Sequence, residues 1–295
     1  MTCRHLRESV VLFVGRCAAA VVCAALAALV VFLGARGFPS LGRELFFGDT
    51  SPMDAIFRGA PVWDALWPAV TGTFRLLVLT MAFALLPGAA SGVFLACYAG
   101  RRQKYWLGLA VDTLSGVPSV VIGLFGFVLI IFLRRVLLPG ATTCLVLSAF
   151  CLATLVLPSL TAATRNALES LPPGLTVTAA ALGFTHNKIV LRVLVPAAGK
   201  GILGGVILAM ARAAEDTAVI MLTGAVANAG SPSGLAAKFE ALPFRIYYTA
   251  AQYANPRELA DGFGAALVLM FLSGGMLLIA WALQRSLSGK WGGVR

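Results

Sequence analysis

Six stretches of this chain, about residues 9–33, 74–99, 112–133, 138–162, 202–224 and 263–284, are apolar over lengths that can cross a lipid bilayer. No other property restricts the fold as strongly. A backbone in hydrocarbon has no water to bond its N–H and C=O groups, so it must satisfy them within its own structure. Apolar runs of this length do so as helices. The expected fold class is therefore all-α, a polytopic membrane protein with about six transmembrane helices. Composition agrees: 12% of residues are charged and the mean hydropathy is +0.90, where a soluble domain carries about 25% charged residues.

The formal net charge is +11. In a soluble protein that balance would suggest nucleic acid as a partner. Here the charges lie mainly in the connections, which points to membrane topology instead. With the N-terminus in the cytoplasm, the inside segments include Arg4, Arg7, Arg101, Arg102, Lys104, Arg165, Lys188, Arg192, Lys200, Arg285, Lys290 and Arg295. The longer outside loops hold fewer basic residues, and this bias places both termini inside. Arg134 and Arg135, at an outside turn, oppose it. The first apolar run exceeds the roughly 7–15 residues of a cleavable leader core and is expected to be an uncleaved signal anchor. Residues 1–73 then form this anchor helix and an external loop, 74–284 the membrane core, and 285–295 a cytoplasmic tail.

The six cysteines show no paired spacing and mostly fall in predicted helices, so each is expected to be a small buried hydrophobe. With only His5 and His186 present, a histidine metal site is not expected. No phosphate-cradling G-x-x-x-x-G-K-[ST] motif occurs, so the chain is not expected to hydrolyse ATP itself. Serine-triad and zinc-protease patterns are missing as well. Gly88 with Gly92, and Gly201 with Gly205, are small residues four apart that permit close helix packing.

Three connections are long. Residues 34–72 and 225–262 fall outside, as either surface helices or contacts for an external partner. Residues 163–201 fall inside. Pro172-Pro173-Gly174 stops a helix, a short helical piece ends at Gly183, and "HNKIVLRVLVP" is expected to close at Pro196. A cytoplasmic helix–turn–helix between two spans is a docking shape.

The fifth span contains "MARAAEDTAV", residues 210–219. On a continuous helix Arg212 lies three before Glu215 and four before Asp216, so all three share a face. Lys200 precedes Arg212 by 12 positions, or about 18 Å of helix. If Lys200 marks the inner interface of a hydrocarbon core about 30 Å thick, Arg212 sits near the midplane. Each charge there costs roughly 2.5–3.5 kcal/mol. Such residues usually line a pathway, though an interhelical staple would also account for them. An anion pathway requires one carboxyl to be protonated or both to be engaged elsewhere. A cation pathway requires neither, and the residues alone leave both open.

Several motifs together resemble a known family. "LLPGAASGVFLACYAG" (85–100), "LSGVPSVVIGLFG" (114–126), "AAALGFTHNKIVLRVLVPAA" (179–198), "ARAAEDTAVIMLTG" (211–224) and "LPFRIYYTA" (242–250) are similar to segments of type I ABC importer permeases. The match is to phosphate permease subunits of the PstA type, over roughly residues 70–284. The second motif is the most specific. The last favours the A-type subunit over its C-type partner.

The resemblance implies the type I ABC importer permease fold and import of inorganic phosphate, with molybdate, sulfate or an ATP-independent cation route as alternatives. It implies a bacterial inner membrane location and no cofactor in this chain, ATP being bound by partner subunits. Those partners are a homologous second permease subunit, two ATP-binding subunits and a periplasmic phosphate-binding protein. It places Arg212, Glu215, Asp216 and Thr217 on the substrate pathway, with the acids holding Arg212. Thr178, Ala179, Gly183 and Pro196 belong to the ATPase-coupling motif. The sequence departs from the family twice: Val177 stands where the docking motif has an acid, and Glu215 stands where the charged run has a glycine.

Overall fold

The computed structural model describes residues 2–58, 62, 65–136, 139–231 and 234–291. Among these residues thirteen α-helices follow one another: α1 (Thr2–Gly37), α2 (Arg43–Phe47), α3 (Pro52–Phe57), α4 (Trp67–Cys97), α5 (Arg101–Ser115), α6 (Ser119–Val136), α7 (Leu145–Glu169), α8 (Gly174–Ala181), α9 (His186–Ile189), α10 (Val195–Glu215), α11 (Ala218–Thr223), α12 (Leu242–Gln252) and α13 (Pro256–Trp291). Among the described residues no strand forms beyond one isolated bridge, Ala225 to Phe239. Among the described residues six helical segments are long and apolar enough to cross a membrane, the number expected. Residues 292–295 of the expected tail lie outside the described residues, as do the side chains of Cys3, Arg4, His5, Arg7 and Lys290.

Two spans depart from expectation, one of them at both ends. The run at 112–133 is broken. Pro118 has no N–H to continue a helix, so α5 ends at Ser115 and α6 begins at Ser119. The fifth span does not start near residue 202. A π-helical turn, Val190–Leu194, joins α9 to α10, and the helix runs from His186 through Pro196 to Glu215. Pro196 therefore does not close the docking segment. It sits at the start of α10, beside the wider turn that absorbs its missing hydrogen bond. The same span stops at Glu215, and α11 resumes at Ala218.

α4 and α7 form the centre. A Cβ on Gly92 would lie 2.6 Å from Thr164 Cβ and 2.7 Å from the Thr161 carbonyl, so only glycine permits this approach. Gly205 of α10 likewise admits Ala163 of α7. Leu77, Ala84, Val156, Leu160, Ala209 and Ala213 fill the resulting core. α1 is peripheral and is held to α13 near its end by Phe32 against Phe263, ring centroids 5.7 Å apart. Cys17 and Cys23 are consequently exposed on α1, contrary to expectation, whereas Cys151 is buried.

The two long connections expected outside contain short helices among their described residues. Leu45 and Leu66 from the first pack with Leu242 of α12 and Ala265 of α13. The second lays Phe239 into the outer core and caps α7: Leu145 and Val146 donate their N–H groups to the carbonyls of Ala237 and Leu235, at 3.1 Å each. This satisfies donors that a helix start cannot satisfy itself.

Candidate functional site

The charged stretch lies at the break in the fifth span. Asp216 is not on the helix face of Arg212: its backbone is extended (φ −75°, ψ 113°). Its carboxylate Oδ1 accepts the Val219 N–H at 2.8 Å and caps α11. Aspartate is a strong N-cap former because its short side chain reaches a backbone donor two or three residues on. That local bond competes with continuing α10, and the break follows. Thr217 is the half-buried residue between the two helices.

Arg212 is exposed and donates from a guanidinium NH group to Ser159 Oγ at 2.8 Å. Among the described residues it forms no ion pair with Glu215 or Asp216. The acids therefore do not hold it, contrary to expectation; a serine on α7 does. Ser159 lies ten residues before Glu169 at the end of α7, or about 15 Å along the axis, half of a ~30 Å hydrocarbon core. Arg212 thus comes to the expected midplane depth if Glu169 marks the interface. Pro158 beside Ser159 leaves the Thr154 carbonyl without its helical donor. Glu215 is exposed and has no hydrogen bond or ion pair among the described residues.

A second break sits alongside. A Cβ on Gly123 of α6 would touch the Ala218 carbonyl at 3.1 Å and Leu222 Cδ1 at 2.9 Å, so α6 and α11 run in contact from their first turns. Two interrupted spans side by side expose backbone groups and short helix starts within the membrane, an arrangement tolerated where it lines a cavity. Sequence reasoning missed Ser159 and the part played by 116–119. The Gly-Val-Pro interruption of an apolar run was the available signal for the second.

Thr178, Ala179 and Gly183 of the coupling motif lie at the turn that leads into the other end of the same rod, and Pro196 does not join them. α8 ends in a Schellman turn: Phe184 N–H donates to the Ala179 carbonyl (3.2 Å) and Gly183 N–H to that of Ala180 (2.9 Å). Gly183 has φ +80°, the left-handed conformation this turn needs. Ala179 is buried and Thr178 exposed. Pro196 lies ten residues beyond His186 in the rod, apart from the turn. Val177 (69% exposed), Leu182 (72%) and Leu191 (64%) present apolar surface. The segment is tied to α4: His186 Nε2 lies 3.0 Å from the Cys97 carbonyl, and Tyr98 Oη donates to Asn187 Oδ1 at 3.1 Å.

Residues 88–285 match the protein family described as "Binding-protein-dependent transport system inner membrane component". A probable ABC transporter permease protein of Bacillus subtilis, YqgH, is 31% identical over 216 residues, covering 70% of this chain and 68% of the relative. The phosphate transport system permease protein PstA of Haemophilus influenzae is 30% identical over 240 residues, covering 80% and 79%. The fold is similar to that of an inward-facing MetNI methionine ABC transporter, with a TM-score of 0.55 and 20% identity, over 76% of this chain and 96% of the other.

Proposed function

The chain belongs to the binding-protein-dependent transport system inner membrane components, and we propose that it is the A-type permease subunit of an ATP-driven importer of inorganic phosphate. It is a multi-pass membrane protein of the type I ABC importer permease fold. The phosphate assignment draws on the PstA relative and on one observation in the site: Arg212 is positioned by an uncharged serine, and Asp216 is occupied at a helix cap. A guanidinium not neutralised by a carboxylate can face an oxyanion, and its planar fork suits phosphate better than an ammonium does. Glu215 is the extra acid, and its carboxylate stays clear of Arg212.

In this function both termini are cytoplasmic and residues 74–284 form the permease core. A homologous second permease subunit completes the pathway. Two ATP-binding subunits engage the coupling segment, and a periplasmic phosphate-binding protein delivers substrate to the outer loops. ATP binds only to the partner subunits. Val177, Leu182 and Leu191 supply an apolar docking contact in place of the family acid.

The continuous helix from His186 to Glu215 links the two sites. Its 30 residues span about 45 Å, with docking at one end and Arg212 near the other. Motion of the coupling segment is carried along this rod to the guanidinium, while the break at Asp216 lets α11 stay with α6. Uptake of labelled phosphate into proteoliposomes holding the whole complex tests the assignment. Arg212→Gln abolishes uptake while the complex still assembles; wild-type uptake in that variant removes Arg212 from the pathway.

A further inference from the structure

A second cationic site lies where α5 begins and α7 ends. Arg101, Arg102, Lys104, Tyr105 and Arg165 line an open cavity of about 610 Å³. Lys104 and Arg165 both donate to Glu169 Oε1, Arg165 at 3.0 Å, so one carboxylate is shared by two cations. Arg101 and Arg102 are exposed and pair with no carboxylate among the described residues. The cavity therefore carries four cations against one acid. A patch of one sign concentrates counter-ions, so this cavity draws anions.

The order of residues along α5 indicates which kind. Basic Arg101, Arg102 and Lys104 come first, then Tyr105 (66% exposed) and Trp106 (57%), then Leu107 (44%) and Leu109 (47%). Basic, aromatic and apolar residues succeed one another as headgroups, interface and hydrocarbon do in a leaflet. An acidic protein surface would not call for exposed aromatic and aliphatic residues directly beneath the charges. Basic pockets between helices on the cytoplasmic side take phosphate-bearing headgroups.

We propose that Arg101, Arg102, Lys104 and Arg165 form a binding site for a phosphate-bearing anion at the inner membrane surface, separate from the transport pathway. The inner leaflet rests on the orientation proposed above; the binding does not. The anion can be the headgroup of an acidic phospholipid or free phosphate, and the α5 gradient favours the lipid.

Binding of phosphatidylglycerol to the purified full-length chain in detergent, followed by native mass spectrometry, tests this without any transport step. Each cation near an anionic surface contributes about fivefold in affinity, so Arg101→Gln with Arg102→Gln lowers binding about 25-fold. Both residues are exposed, and an unchanged melting temperature certifies the fold. Glu169→Gln, which removes the competing carboxylate, binds at least as tightly as wild type. Phosphatidylcholine, of no net charge, binds weakly to all three. Inorganic phosphate in excess leaves the lipid in place if the headgroup is the ligand and displaces it if free phosphate is; either result upholds the site. Equal retention of phosphatidylglycerol by wild type and the double variant, with no inorganic phosphate bound, overturns it. So does a double variant that keeps its lipid but fails to assemble with the ATP-binding subunits, which would make the patch a protein docking surface.

Discussion

Replacement of Gly183 separates the shape of the coupling turn from the surface it presents. The residue has φ +80°, and no atom lies within 4 Å of where a Cβ would stand. A substitution therefore meets no neighbour, and its whole effect on the turn is backbone strain. For an L-residue the left-handed conformation costs about 1–2 kcal/mol, a factor of about 5–30 against the turn. Asparagine is tolerated there far better than alanine, and a β-branched residue worst. Transported phosphate per ATP hydrolysed, measured in proteoliposomes with the complete complex and binding protein, should fall in the order Gly183, Asn, Ala, Val. Ala should lose up to about 5–30-fold. Aspartate tolerates the conformation but places a charge between Leu182 and Phe184, so Gly183→Asp should uncouple hydrolysis from transport through the docking surface. Coupling in Gly183→Val equal to wild type, or Gly183→Asn as impaired as Gly183→Val, would refute the reasoning from the turn.

Other substitutions test the membrane-embedded site and its supports. Asp216→Asn keeps an N-cap and should retain phosphate uptake, whereas Asp216→Ala loses about 1 kcal/mol of capping and should transport less; the reverse order would make Asp216 a counter-charge. Ser159→Ala removes the positioning partner of Arg212 and should lower uptake by up to about tenfold, with assembly unchanged in a pull-down of the complex. Gly92→Val forces a side chain onto Thr164 and the Thr161 carbonyl and should destabilise by about 1–3 kcal/mol, read as a lower melting temperature in detergent. Gly15→Ala, at a position with no atom within 4 Å of the added Cβ, should leave that temperature unchanged.

The number of spans was legible because it follows from local physics. A backbone in lipid must bond to itself, so apolar length alone sets where helices cross. The need for glycine at 183 was local too, being the end of one short helix. What failed locally failed for a reason. Asp216 can continue α10 or cap α11; the cap is worth about 1 kcal/mol, and in the capped form α11 packs along α6. Pro196 looked like a stop, yet the π-helical turn before it carries the rod through. The partner of Arg212 was invisible because Ser159 is 53 residues away in sequence and is brought near only when Gly205 lets α10 close on α7. The sequence by itself determined that charge would interrupt an apolar span; tertiary packing decided what holds Arg212, because a side-chain partner is chosen by proximity in space and hydropathy measures only neighbours along the chain.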